Sequence, residues 1–404
     1  MDSMKNCGVV PALSVEAQLK RKIRTHLGEL GFVRDANGLL APPKASKSSI
    51  RLMHSRQRQT KLEQHQKFIE GNIKPFLDAL ASGTDIEPEK IDLSLRPIKT
   101  DSKEARLFRM AGLTWSVPVS NGFGRRMRFL VWDNYHDRLA GVAALGDPVF
   151  NLSVRDNEIG WDADARRDRL CNVLDAYVLG ALPPYNELLC GKAIACMLRS
   201  SDVYEEFQCR YGKKPGLISG KNKKPRLLAI TTSSSMGRSS LYNRLTLDGE
   251  PYLRPIGYSK GWGHFHVPDD LFLELRQYLE SVGHPYSRQY EYGEGPNWRL
   301  RTIKAALAAL GMQQSLLHHG IKRQVYIGYL AKNAIDILNG AKTKPDLSEL
   351  RPIREIFESA KVRWIIPRSA RRPEFLKWRK QSILDRFEDS ISKNRTGGIL
   401  QHAH

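Results

Sequence analysis

Apolar residues first recur at helical spacing across residues 13–30. Leu19, Ile23, Leu27 and Leu30 share one face, and Lys20, Arg21, Lys22 and Arg24 take the rest. Gly31-Phe32 ends this helix, and Asn37-Gly38 marks a tight turn before Leu39-Leu40. Beyond the break at Pro42-Pro43, a second helical stretch carries Phe68, Ile69, Phe76, Leu77 and Leu80 as far as Ser82-Gly83. The pattern then shortens to alternation. Residues 91–97 read as a half-buried strand, residues 127–132 and 139–145 flank a turn as a β-hairpin, and residues 148–153 form one more expected strand. Residues 164–175 return to a helical pattern through Leu170, Val173 and Leu174. A strand over 176–182, a turn at Pro183-Pro184, and a helix from near Gly191 towards Tyr211 follow.

The strand-turn-helix order then repeats, with a strand at 227–230, a small polar turn at 231–237 and a short helix at 238–245. An extended run over 256–267 would send Tyr258, Lys260, Trp262, His264 and His266 to one side by alternation. Gly257, Ser259, Gly261 and Gly263 go to the other, and residues without bulk let a ligand or a backbone come close. Asp269-Asp270 caps a helix that ends at Gly283, and residues 298–310 and 325–338 read as two more helices. The order predicts an α/β (α+β) protein with a mixed central sheet and flanking helices. Its expected parts are a basic helical region over 1–88, a central α/β domain over 89–290 and a basic helical region over 291–404.

Charge sharpens that picture. Lys and Arg number 64 against 43 Asp and Glu, a formal charge of +21, which speaks about partners and makes nucleic acid the first polyanion to consider. The excess is clustered. Residues 44–67 hold seven cations against Glu63, and residues 361–380 hold eight against Glu374, interleaved with Trp364, Phe375 and Trp378. Those aromatics either stack bases or dock the tail to the core. Lys213, Lys214, Lys221, Lys223, Lys224 and Arg226 crowd a proline- and glycine-bearing loop without a single acid, as a phosphate guide to DNA or RNA would. Five cysteines without paired close spacing argue against a disulfide framework or structural zinc. No apolar run is long enough to span a bilayer, so a cytoplasmic protein without a membrane partner is expected.

Most chemical signatures fail. Residues 215–222 approach a phosphate-binding loop but lack its first glycine and its closing Ser or Thr, so ATP is not expected there. His264 and His266 lack a third ligand, and no metal site is predicted. Asp162 and Asp164 sit where helix-capping acids belong. What survives is the repeated strand-turn-helix order, with Gly191-Lys192-Ala193 at one helix start and Tyr242 after the second strand. A glycine at a helix N-terminus lets backbone N–H groups meet a pyrophosphate. This order resembles the GNAT acyltransferases over residues 125–267. The resemblance implies acetyl-coenzyme A or another acyl-coenzyme A as cofactor, held by Gly191, Lys192 and Ala193, with Tyr242 as general acid beside His264 and His266. Leu188 stands where that family has Arg or Gln.

A second resemblance rests on RFLVWDNYHDRLAGVAAL, ITTSSSMGRSSLYNRL, GYSKGWGHFHV and GPNWRLRTIKAALAALG, within residues 90–380. Together these stretches resemble the DruA family of the bacterial Druantia defence system. The likeness implies a role against bacteriophage and, as partners, the subunits DruB, DruC, DruD and the helicase-like DruE. Rival expectations are acyl transfer to a base or a protein, and a metal-dependent nuclease or transposase-like activity.

Overall fold

The computed structural model describes residues 13–34, 36, 40–44, 46–122, 124–213, 223–261, 266–288, 298–318 and 320–387. Lys214, Lys221, His264, Gly263 and the loop at 215–222 lie outside them. The chain divides into two units, residues 1–57 with 261–321, and residues 58–260 with 322–404. Each unit is discontinuous in sequence, which a linear division at 88 and 290 does not describe.

The first unit is helical. Ser14 Oγ accepts from Ala17 N to cap helix Val15–Glu29, whose buried stripe of Leu19, Ile23 and Leu27 follows from their spacing. That stripe shares a core with Leu271, Leu275 and Leu279 of helix Asp269–Ser281 and with Ile303 and Leu307 of helix Trp298–Ala309. Lys22 pairs with Glu274 at 2.7 Å across the first two. A two-residue strand pair, Val33–Arg34 with Leu40–Ala41, forms the small hairpin after the first helix.

The second unit is built on one mixed sheet. Its strands are β1 (Leu93–Pro97), β2 (Arg126–Asp133), β3 (Arg138–Gly146), β4 (Val173–Ala181), β5 (Ala229–Ser233), β6 (Leu245–Leu247), β7 (Glu250–Tyr258) and β8 (Gln324–Tyr329). They lie in the order β1-β2-β3-β4-β5-β8-β7-β6. Every neighbouring pair is antiparallel except β4 and β5, which run parallel. Helices on both faces bury the inner strands twice over, so β3 is apolar along nearly its whole length and not alternating. One face carries α5 (Cys190–Met197), α6 (Ser201–Tyr211) and α8 (Ile353–Ala360). The other carries α1 (Gln66–Ala79) and α2 (Lys103–Leu113) over β2 and β3. Farther along, α3 (Ser153–Ile159), α4 (Ala163–Arg169) and α7 (Ala334–Leu338) surround a core with Val173, Ala229 and Ile327.

Four local expectations are corrected. Residues 148–153 are irregular and lead into α3, because Pro148 has no N–H for a ladder and the carbonyls of Val149 and Phe150 accept from the Arg155 guanidinium. The helical pattern at 164–175 stops at Arg169, and Val173 opens β4; Asp162 is an N-cap, its carboxylate accepting from Ala165 N. Residues 238–244 form turns and no helix, and β6 begins at Leu245. The expected helix at 325–338 splits into central strand β8 and the short α7. A brief apolar run such as Val325–Tyr329 has no periodicity that separates a buried strand from a buried helix.

Candidate nucleic-acid interface and central cleft

β4 pairs with β5 only through Val173↔Ala229, Leu174↔Ile230 and Asp175↔Thr231, yet stays paired with β3 as far as Ala181. Beyond Asp175 the edge of β4 towards β5 is met by side chains. Thr232 Oγ1 donates to the Ala176 carbonyl at 2.9 Å, and Tyr242 Oη to that of Leu179 at 3.4 Å. Register against β3 shifts between Ala144 and Leu145, which pair with Val178 and Ala176 and skip Tyr177. That bulge inverts the alternation. Leu174 and Ala176 before it and Leu179 and Ala181 after it pack into the same core, while Val178 faces the other.

Asp175 lies where the parallel pairing ends, accepting from Thr231 Oγ1 at 2.7 Å. Burial pushes its carboxyl up to about 6, against the pull of Thr231 and of Arg155. Arg155 is itself fully buried, bonded to Asp156 at 2.6 Å and to the carbonyls of Val149 and Phe150. Arg166 holds the other oxygen of Asp156 at 2.9 Å. Asp156 thus bridges two arginines, and of these charges only Arg155 draws on Asp175.

The residues expected to bind an acyl carrier have other surroundings. Leu189, at φ 62°, leads into α5, and Gly191 and Ala193 are buried. A Cβ on Gly191 would lie 3.0 Å from Leu241 Cδ1, so a side chain sits against this helix start. The Lys192 ammonium lies 5.1 Å from the Trp364 ring, and burial, then the neighbouring Arg363, lowers its pKa. Tyr242 packs edge-on to Tyr326 at 5.4 Å, and burial makes its phenol less acidic. Tyr326 Oη in turn donates to Gln324 at 2.6 Å and accepts from Ser239 N at 3.2 Å, fixing the loop that carries Tyr242. His266 belongs to the first unit, where its carbonyl contacts His26 Nε2 at 2.9 Å. Burial, then Arg299, pushes its imidazole down to about 4. The expected strand at 256–267 ends at Tyr258, because Ser259 turns to exchange hydrogen bonds with Arg323. Gly257 faces Val154, whose Cγ1 would be 3.2 Å from an added Cβ.

Charge converges at the amino ends of β4 and β5. Arg169, Lys223, Lys224, Arg226 and Lys342 line a cleft of about 320 Å³ whose only carboxylate is Asp168. Lys223 Nζ donates to the carbonyls of Arg167 at 2.9 Å and Asp168 at 3.3 Å, capping the end of α4. Arg226 is anchored twice, its N–H on Asn172 Oδ1 and its guanidinium on the Thr343 carbonyl. Arg169 lies over Gly340, where a Cβ would come within 2.7 Å of its Nη2. Lys224 and Lys342 are exposed, as is Lys213. The basic loop therefore presents some of its cations and spends others on folding. Arg169 and Lys342 carried no signal of their own in the sequence, since each lies in a different segment from the basic loop, Arg169 within Arg166-Arg167-Asp168-Arg169 and Lys342 two residues before Lys344.

A second cleft, of about 250 Å³, opens at the carboxyl ends of the same two strands and is lined by Trp115, Ser116, Asn186, Ser235, Met236 and Arg386 among others. None of these was singled out by the sequence, because they come from four distant segments. The basic tail at 361–380 uses its aromatics for docking, with Trp364 and Phe375 buried in the core. Among the described residues no group of three or more His, Cys, Asp or Glu could hold a metal ion, and no helix is long and apolar enough to cross a membrane.

A family model described as "Druantia protein DruA" matches residues 44–340. The chain is 55% identical over 370 residues to a protein of that description from Escherichia coli (strain UMEA 4076-1), covering 92% of each chain. No solved structure matches.

Proposed function

The chain belongs to the DruA family, and from that premise we propose that it serves Druantia anti-phage defence by engaging nucleic acid through its basic cleft. The observation that carries this is the meeting of Arg169, Lys223, Lys224, Arg226 and Lys342 with one opposing carboxylate. Cations held by a folded frame meet a phosphodiester backbone at little further entropic cost, and the counterions they release drive association. In this reading the contact is made to phosphates and is therefore independent of sequence. Membership of the Druantia system implies companion subunits, and DruB, DruC, DruD and the helicase-like DruE are the partners proposed. In this arrangement the chain delivers or steadies nucleic acid for them. The test is a gel shift of the full chain on short DNA and RNA across a salt series. Affinity that stays level from about 50 to about 200 mM salt would sink the reading.

One observation favours a second reading, acyl transfer. The ladder between β4 and β5 stops after Asp175 and a cleft lies at their carboxyl ends, the crevice in which open α/β sheets bind ligands. In that reading Leu241 must swing away from Gly191 for acetyl-coenzyme A to reach the helix start. Calorimetry with acetyl-coenzyme A tests it, and an absence of binding heat removes it.

A further inference from the structure

We propose that the cleft at the carboxyl ends of β4 and β5 is a nucleotide pocket, which takes one unstacked base of a nucleic acid against Trp115 with a flanking phosphate on Arg386. The inference rests on the nucleic-acid reading above but uses a different surface, at the other end of the parallel pair. At about 250 Å³ the space sits near the lower end of small-ligand pockets, roughly 300 Å³, and suits one nucleotide better than a duplex.

The lining sorts by chemistry. Trp115 is a half-buried ring held against β4, where Gly180 has no side chain and an added Cβ would meet the indole at 3.1 Å. Glycine near the carboxyl end of that strand is what allows the ring to lie there. A fixed aromatic platform holds a stacked base through its π-face, whatever the base. Ser116, Asn186 and Ser235 offer uncharged donors and acceptors, which suit the edge of a base. Arg386 is the one charged residue of the lining, and no carboxylate pairs with it among the described residues. Its Nη1 is 3.5 Å from the Thr114 carbonyl, at the limit of a hydrogen bond, so the guanidinium is available to a ligand. More cations contact the segments that line the cleft or adjoin them. Arg58 donates to the Arg386 carbonyl, and Lys61 donates to the Val119 carbonyl at 2.7 Å, near enough to Arg109 for that charge to lower its pKa further after burial. A neutral interior with cations on the adjoining segments matches a strand whose base enters while its phosphates stay outside.

The experiment titrates a single-stranded oligonucleotide carrying one 2-aminopurine into the full chain, reading base fluorescence for stacking and anisotropy for total binding. Quenching is expected, and it should be competed by free mononucleotide. Ser235→Phe and Arg386→Gln alter exposed residues, so the fold should survive both. Ser235→Phe, which fills the cleft, should abolish the quench, and Arg386→Gln should weaken it about tenfold, while anisotropy still reports binding through the basic cleft. Trp115→Phe should keep part of the signal and Trp115→Leu lose it. Oligonucleotide binding without a quench, or a quench indifferent to Ser235→Phe and Arg386→Gln, overturns the pocket and leaves the basic cleft standing. A quench relieved by acetyl-coenzyme A and not by mononucleotide assigns the space to an acyl carrier and also overturns it. No binding of any oligonucleotide overturns both readings.

Discussion

Arg155 shows what a single residue does beneath the sheet. Its guanidinium is fully buried, and it satisfies Asp156 together with the carbonyls of Val149 and Phe150. Arg155→Ala should therefore destabilise the protein by about 3–5 kcal/mol in urea unfolding, because buried acceptors lose their donor. Asp175 makes the opposite case. Its folded pKa, about 6, lies above the ordinary value of 3.8, so the folded state holds the proton more tightly than the unfolded chain. Stability from this group is whole below about pH 3.8, falls as pH rises towards 6, and is flat above. Asp175→Asn keeps an acceptor for Thr231 and should gain up to about 3 kcal/mol over the natural protein at pH 8 and nothing at pH 3.5. Equal differences at both pH values would contradict that assignment. Neither residue stood out in the sequence, where Arg155 looked like any surface arginine. Tyr242 and His266 did stand out, and their types were sound reasons for interest. Composition does not report that Leu241 covers one helix start or that the two residues belong to different units.

Elements were legible where their period was clean and long. The helices at 15–29, 269–281 and 298–309 and the hairpin β2–β3 stand where spacing put them. Short apolar runs were not legible, since Val325–Tyr329 satisfies helix and strand alike until its neighbours β5 and β7 supply hydrogen bonds. Docking of the carboxyl-terminal segment depends on one glycine. Gly83 N donates to the Trp378 carbonyl at 2.9 Å, and a Cβ on Gly83 would sit 1.9 Å from the Phe375 oxygen. Gly83→Ala should cost about 1–3 kcal/mol and expose residues 373–387 to protease, because backbone cannot yield as a side-chain tip can. Gly191→Ala tests the contrary expectation. Only a flexible leucine tip opposes it at 3.0 Å, and alanine favours the helix by about 1 kcal/mol. Its thermal midpoint should match or exceed the natural protein's, whereas a glycine required for close anion approach would show itself in lost ligand binding.

At the scale of the molecule, a charge of +21 is not spread evenly. Five cations meet at the amino ends of β4 and β5, and Arg386 lines the cleft beyond their carboxyl ends, with Arg58 bonded to its carbonyl. Replacing Lys224, Arg226 and Lys342 together with alanine should flatten the plot of log affinity against log salt by about 2–3, at roughly 0.9 per lost phosphate contact. An unchanged slope would show that those residues meet no phosphate. The sequence located the loop correctly as basic, yet it could not say that Lys223 caps α4 and that Lys342 joins from more than a hundred positions away.

By itself the sequence determined the class of fold, the family, the long helices and hairpin, and the excess of positive charge. Each of these is written in local spacing or in composition, which act between near neighbours or by simple summation. Tertiary structure alone decided which cations converge, which histidine and tyrosine are drawn partly out of solvent, and where open space remains. Those outcomes depend on contacts between residues far apart along the chain, and steric exclusion acts only once the segments meet.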